Sequence, residues 1–208
     1  MAEPPGTAVI VDDDPGLRES LGSLLRSIGL QVALYGSVAE FMKAGRPTGA
    51  TCLVLDVRLP GQSGLDFQRE LSKAGISVPI VFITGHGDIP MSVKAMKGGA
   101  IEFMSKPVHE QDLLDAIQLG LQKDRAELEK ERAIGLLRAR FDSLTDRERE
   151  VMTLVGAGRL NKQIAGELRV SEVTVKVHRG NVMRKMAAKT LADLVLMADK
   201  LKTSREKT

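Results

Sequence analysis

The sequence predicts a doubly wound α/β domain with a five-stranded parallel sheet, then a long linker helix and an all-α domain of four helices. Three observations lead there. Over residues 1–120, five short and nearly continuous apolar runs alternate with segments of helical periodicity. Residues 119–141 are charged and rich in Ala, Leu, Glu, Lys and Arg, as a solvated helix is. From Leu144 onward, helix caps follow one another closely with no strand signal between them. The expected division is therefore 1–120, 121–142 and 143–208.

The first strand is Val9-Ile10-Val11, ending in Asp12-Asp13-Asp14. Asp14 is placed to cap the helix beginning at Pro15, since a proline in the first turn forfeits no helical hydrogen bond. Leu17, Leu21, Leu24, Leu25 and Ile28 recur at helical spacing, and Gly29 closes that helix. Residues 31–35 read as a strand, and Ser37 caps a helix reaching Ala44. The alternation continues through 52–55, 64–74, 79–83, 88–97 and 101–104, with a helix starting near Val108. Strands apolar along their whole length are buried on both faces, which is the signature of a parallel sheet covered by helices.

In the linker, Leu114, Leu121 and Leu128 recur every seven residues. Either this helix simply extends the last helix of the first domain, or it carries a dimer seam. Asp124 and Glu131 at partner positions make the seam a poor one. Beyond it, Thr145-Asp146-Arg147-Glu148 is a capping box for a helix that ends near Ala157 and is stopped by Gly158. Asn161 is expected to cap a short helix through Leu168. Val170-Ser171 forms a tight turn, and Ser171 caps a helix from Glu172 to about Met186. A last helix runs from Thr190 to about Leu201, leaving Lys202–Thr208 as a frayed tail.

Composition narrows the classes. The 208 residues are 43% hydrophobic but only 3% aromatic, so the cores are aliphatic. The net charge of +3 conceals an asymmetry: residues 1–120 carry 10 basic and 14 acidic side chains, and residues 143–208 carry 14 basic and 8 acidic. An acidic front suits a cation and a basic back suits a polyanion. A single cysteine, Cys52, can form no internal disulfide, and the expectation is a reducing cytoplasm. No apolar run approaches the ~20 residues that cross a bilayer, and Met1–Thr7 lacks a signal-peptide core, so no membrane partner is expected.

The chemistry gathers at strand ends, where an open α/β sheet forms its ligand crevice. Asp56 follows Cys52-Leu53-Val54-Leu55, Thr84 follows Ile80-Val81-Phe82-Ile83, and Lys106 follows Ile101-Glu102-Phe103-Met104-Ser105. An aspartate attacks a phosphoryl group poorly because both are anionic. Mg²⁺ or Mn²⁺ held by oxygen ligands removes that repulsion. Asp12, Asp13, Asp56 and the Arg58 backbone carbonyl form the candidate ligand set. Lys106 supplies positive charge and Thr84 a hydroxyl donor for the phosphoryl oxygens. The tight turn at Lys106-Pro107 accommodates either peptide isomer.

These residues carry a resemblance. Val11-Asp12-Asp13-Asp14, Leu55-Asp56-Val57-Arg58-Leu59-Pro60-Gly61, Ile83-Thr84-Gly85-His86-Gly87-Asp88 and Ser105-Lys106-Pro107 resemble the CheY-like receiver domain of bacterial two-component response regulators. The resemblance implies that Asp56 accepts a phosphoryl group from a sensor histidine kinase and that Thr84 is the switch hydroxyl. It gives Phe103 the place of the aromatic switch, although a strand position suits plain core equally. His86 is open to a general-acid role or to none, as a solvated loop residue. A phosphohydrolase with Asp56 as nucleophile would need a substrate cap and a general acid/base. No insertion supplies them, so an enzyme is not expected.

In the basic half, the helical wheel of 172–186 turns Val175, Val182 and Met186 inward, and Lys176, Val177, Gly180, Asn181 and Arg184 outward. An exposed valine suits a thymine methyl in the major groove, and Gly180 permits close approach. Lys176 can reach base edges or phosphate. Asn161, Lys162, Thr174, Arg184 and Lys185 are candidates to grip the DNA backbone. Arg179 falls near the inward stripe and must snorkel or pair with a carboxylate. Gly166 interrupts a helix at about 1 kcal/mol against alanine. A helical module binding protein or RNA is the rival.

Leu144-Thr145-Asp146-Arg147-Glu148-Arg149-Glu150-Val151, Asn161-Lys162-Gln163-Ile164-Ala165 and Ser171-Glu172-Val173-Thr174-Val175-Lys176-Val177-His178 resemble the LuxR-type helix-turn-helix. Together the halves resemble the NarL/FixJ class, in particular its FixJ-like subgroup. That implies a transcription factor that dimerises on phosphorylation, binds duplex promoter DNA and activates transcription with RNA polymerase. Leu191, Leu194, Val195 and Ala198 offer either a stripe for pairing or intradomain core.

Overall fold

A computed structural model describes residues 6–205. The chain divides into two units, 1–128 and 129–208. In the first, five strands alternate with helices: β1 (Thr7–Val11), α1 (Pro15–Ser27), β2 (Gln31–Tyr35), α2 (Val38–Ala44), β3 (Thr51–Asp56), α3 (Gly64–Lys73), β4 (Ile80–Thr84), α4 (Ile89–Lys97) and β5 (Glu102–Ser105). The sheet is parallel throughout, in the order β2-β1-β3-β4-β5. Strand order reverses between β1 and β3, so their carboxyl ends open a crevice there.

The side-chain alternation of each strand builds two cores. On one face Val9, Val11, Leu53, Leu55 and Phe82 meet Phe41 of α2, Phe67 and Leu71 of α3, and Ala95 of α4. On the other, Ala8, Ile10, Cys52, Val54, Val81 and Ile83 meet Leu21 and Leu25 of α1 and Leu113, Ile117 and Leu121 of α5 (Glu110–Asp142). The caps expected for α1 and α2 are present. Asp14 accepts hydrogen bonds from the backbone N–H groups of Gly16 and Leu17, and Ser37 from that of Glu40.

The linker is not an independent element. Leu121 is buried and Leu114 packs against the same core, so these two leucines of the seven-residue spacing face the sheet, while Leu128 is half-buried beyond it. Asp124, which spoiled the seam on paper, is itself buried. Its Oδ2 accepts hydrogen bonds from Arg46 at 2.5 Å and from the Thr51 N–H at 2.7 Å. The first unit therefore extends past residue 120, because the ligands of Asp124 lie in it. At the far end of α5, Leu137 and Phe141 belong to the core of the second unit.

That second unit holds α6 (Asp146–Gly156), α7 (Asn161–Leu168), α8 (Glu172–Met186) and α9 (Leu191–Arg205). The Thr145–Glu148 capping box forms as expected. Leu160, not Asn161, precedes the first turn of α7, and Gln163 Oε1 accepts its backbone N–H at 2.9 Å. The turn into α8 is made by Arg169 in the left-handed region (φ 54°), followed by Ser171, whose hydroxyl caps α8. Helix α9 continues to Arg205, so Lys202 and Thr203 are helical and not frayed, while 206–208 lie outside the described residues.

Candidate phosphoacceptor site and nucleic-acid interface

The ends of β1, β3, β4 and β5 bring the expected site residues of the first unit together. Asp12 is fully buried, Asp56 nearly so, and Asp13 is exposed. One carboxylate oxygen from each of the three lies within 4.8 Å of the other two. Lys106 reaches across from the end of β5, placing Nζ 2.6 Å from Asp12 Oδ2 and 2.8 Å from Asp56 Oδ2. The remaining carboxylate oxygens are held by backbone: Asp12 Oδ1 accepts from Asp14 N and Asp56 Oδ1 from Arg58 N, each at 3.0 Å.

Burial pushes the Asp12 carboxyl above its ordinary range, and the Lys106 ammonium opposes that only in part. For Lys106, burial works to lower the pKa. The hydrogen bonds and charges of Asp12 and Asp56 outweigh it, so the lysine is held above its usual value and stays charged. The peptide Lys106-Pro107 is cis, and Lys106 N donates to Thr84 O at 2.8 Å. Thr84 is fully buried and its hydroxyl accepts the His86 N–H at 3.3 Å; His86 itself is exposed. Phe103 is half-buried, its ring 6.2 Å from that of Phe82 and packed on the first core. A Cβ on Gly87 would fall 2.9 Å from the Phe103 ring, so this loop passes close over it.

Two local features escaped sequence reasoning. The guanidinium of Arg18, one turn into α1, donates to the Asp12 carbonyl at 2.5 Å and steadies the acidic loop. Gly64 is required by close approach, since a Cβ there would lie 2.3 Å from the Asp56 carbonyl oxygen. The Gly in Gln62-Ser63-Gly64 was visible, but only the folded loop shows what it passes. The donor set fits a hard divalent cation. Every side-chain donor is a carboxylate, the hard oxygen ligand such an ion prefers, and one oxygen from each can approach a common point.

In the second unit, α8 buries Val175, Val182 and Met186 completely. It exposes Lys176, Val177 (59%), Gly180 and Arg184, with Asn181 half-buried. Lys162 is exposed on α7. Thr174 Oγ lies 2.9 Å from Ser171 Oγ within the cap of α8. Two expectations change here, and for the α9 stripe the two open alternatives divide between residues. Lys185 does not face outward as a phosphate ligand: its Nζ bonds the buried Glu148 Oε2 at 2.6 Å and Ser143 O at 3.2 Å. Arg179 pairs with the Asn161 side-chain carbonyl and not with a carboxylate, which ties α7 to α8 and occupies the acceptor of Asn161. Of the α9 stripe, Leu194 is buried core, and Ala198 packs beside Gly156, where a Cβ would come within 3.1 Å of it. Only Leu191 is exposed, with Val195 half-buried; Leu196, not among the expected residues, is 61% exposed.

Residues 8–118 match the response regulator receiver domain, and residues 142–198 match the luxR family of bacterial regulatory proteins. The chain is a response regulator with a LuxR-type DNA-binding domain. It is similar to Nodulation protein W of Bradyrhizobium diazoefficiens, at 51% identity over 96% of this chain and 88% of the relative. It is also similar to the response regulator protein TmoT of Ectopseudomonas mendocina, at 49% identity over 94% and 89%. The transcriptional regulatory protein FixJ of Rhizobium meliloti shares 42% identity over 92% and 94%. Among solved structures, the response regulator StyR superposes with a TM-score of 0.85 at 49% identity, covering 95% of this chain and all of that one. These relatives place the chain among transcriptional response regulators, as the FixJ-like motifs implied.

Proposed function

We propose that transcription control by this response regulator is gated by phosphorylation of Asp56. The observation that carries it is the Lys106 ammonium held 2.8 Å from Asp56 Oδ2 and 2.6 Å from Asp12 Oδ2 at a mouth of three clustered carboxylates. Asp12, Asp13, Asp56 and the Arg58 backbone carbonyl would hold Mg²⁺ or Mn²⁺. Such an ion supplies charge neutralisation between the nucleophile and the phosphoryl oxygens.

The remaining work falls to the chain's own groups. An Asp56 carboxylate oxygen forms a bond to phosphorus as the phosphorus–nitrogen bond to a kinase histidine breaks; the electron pair and a proton go to the imidazole. Lys106 holds its charge against the phosphoryl oxygens, and Thr84 donates its hydroxyl once it turns from the His86 N–H. Catalysis of this kind is positioning and electrostatics. Phe103, packed under Gly87, follows the movement of that loop. Phosphorylation then favours a homodimer whose paired output domains occupy promoter half-sites and activate RNA polymerase. Lys162, Thr174, Lys176, Val177, Asn181 and Arg184 make the DNA contacts. Leu191 and Val195 are the residues of the original stripe left to pair the output domains. The setting is a bacterial cytoplasm; among the described residues no helix is long and apolar enough to cross a membrane.

The test is phosphorylation by phosphoramidate with Mg²⁺, following phosphoprotein and apparent mass for the wild type and Asp56→Asn. Labelling confined to the wild type, with a shift from monomer to dimer, is the expected result. Equal labelling of Asp56→Asn would overturn the assignment.

A further inference from the structure

Helix α8 shows two exposed valines, not one. Val173 is 69% exposed and Val177 is 59% exposed. At 100° per residue, Val173, Val177, Gly180 and Arg184 form one outward ridge opposite the buried Val175, Val182 and Met186. Lys176 flanks the ridge. A solvated ridge would be filled by better helix formers such as Lys, Glu or Ala, and valine offers no gain in helix stability. Its side chain, however, is rigid at χ1 in a helix, so its methyl groups point in a fixed direction. Val173 also stands in the first turn of α8, the end of a recognition helix that meets base edges.

We propose that Val173 is a specificity-determining residue that reads a second thymine methyl group beside the one contacted by Val177. This rests on the DNA-binding reading of α8. Four residues of helix advance about 6 Å along the axis, or roughly two base steps of 3.4 Å each. The preferred half-site therefore carries two methyl-sensitive thymines about two steps apart. Gly180, with open space where its Cβ would be, leaves the groove floor accessible just beyond them.

The experiment selects binding sites for the intact, phosphoramidate-treated chain from randomised synthetic duplexes. Each thymine of the selected half-site is then replaced by deoxyuridine, which removes only the methyl. Loss of one methyl contact should weaken binding about fourfold. Two positions should respond in the wild type. Val173→Ala should abolish the response at one and Val177→Ala at the other, while Val173→Thr keeps part of the first. Because Val173 is exposed, the alanine variant should keep its far-ultraviolet dichroism and melting temperature. If sequence-selective binding persists but the deoxyuridine pattern is the same in Val173→Ala as in wild type, the proposal is wrong and the DNA-binding reading stands. If no duplex is enriched, both fall.

Discussion

Lys185→Met separates a structural lysine from a DNA-binding one. Glu148 sits at the third position of α6 with its side chain 5% exposed, and it receives both Lys185 Nζ at 2.6 Å and the Thr145 N–H at 2.9 Å. Removing the cation leaves a buried carboxylate without its counter-charge, a loss of about 3–5 kcal/mol when both partners are buried. Lys185 is 27% exposed, so water reaches the pair from one side. We expect about 2–3 kcal/mol in the second unit, which in a domain of this size lowers its melting temperature by roughly 10–20 °C. The pair also sets a pH dependence. The Lys185 hydrogen bond, reinforced by Thr145 and opposed in part by burial, holds the Glu148 carboxyl below its ordinary 4.5. A depressed carboxyl stabilises the fold above its unfolded value, and that contribution is lost as pH falls through the lower folded value. Calorimetry of the intact chain should therefore show the wild-type advantage over Lys185→Met shrinking below about pH 4.5. Binding to non-specific duplex DNA supplies the other readout. Each phosphate contact contributes about 0.9 to the slope of log K against log salt. Lys176→Ala should lower the slope by about that amount if it holds a phosphate, with stability unchanged, whereas Lys185→Met should leave the slope intact. A Lys185→Met chain that melts like wild type but loses a unit of salt slope would refute the reasoning and return Lys185 to the interface.

Asp124→Ala should destabilise the first unit by about 2–4 kcal/mol, because it orphans the Thr51 N–H and takes the counter-charge from Arg46, which keeps only its hydrogen bond to the Ser77 carbonyl. A cycle with Arg46→Ala, read by urea unfolding, should show coupling well above 1 kcal/mol. Gly120→Ala should cost about 1–3 kcal/mol by overpacking, since its Cβ would come 2.6 Å from Cys52 Sγ; Cys52→Ala in the same chain should recover much of the loss. Burial pushes the Cys52 thiol up to about 12, so native protein at pH 8 should resist thiol reagents until it unfolds.

The strand ends were legible in the sequence because a parallel sheet buries both faces and its strands end where apolar runs stop. That alone placed Asp12, Asp56, Thr84 and Lys106 at one mouth. The caps at Asp14, Ser37, Thr145 and Ser171 were equally local, each a polar side chain within three residues of the N–H it satisfies. The boundary at residue 120 was not legible, and neither was the role of Lys185; for Leu194 the sequence left pairing and core both open. A charged helix and a basic surface look the same in sequence whether a given polar residue meets water or a buried partner.

By itself, then, the sequence determined the alternation of strands and helices, the acidic mouth and the inward and outward faces of α8, all set by periodicity and neighbouring residues. Tertiary structure decided which charges meet. Lys106 and Asp12 are 94 residues apart, Arg46 and Asp124 are 78 apart, and Lys185 and Glu148 are 37 apart. Such pairs depend on where the packed helices and sheet bring the chain back to itself, and no local pattern encodes that return.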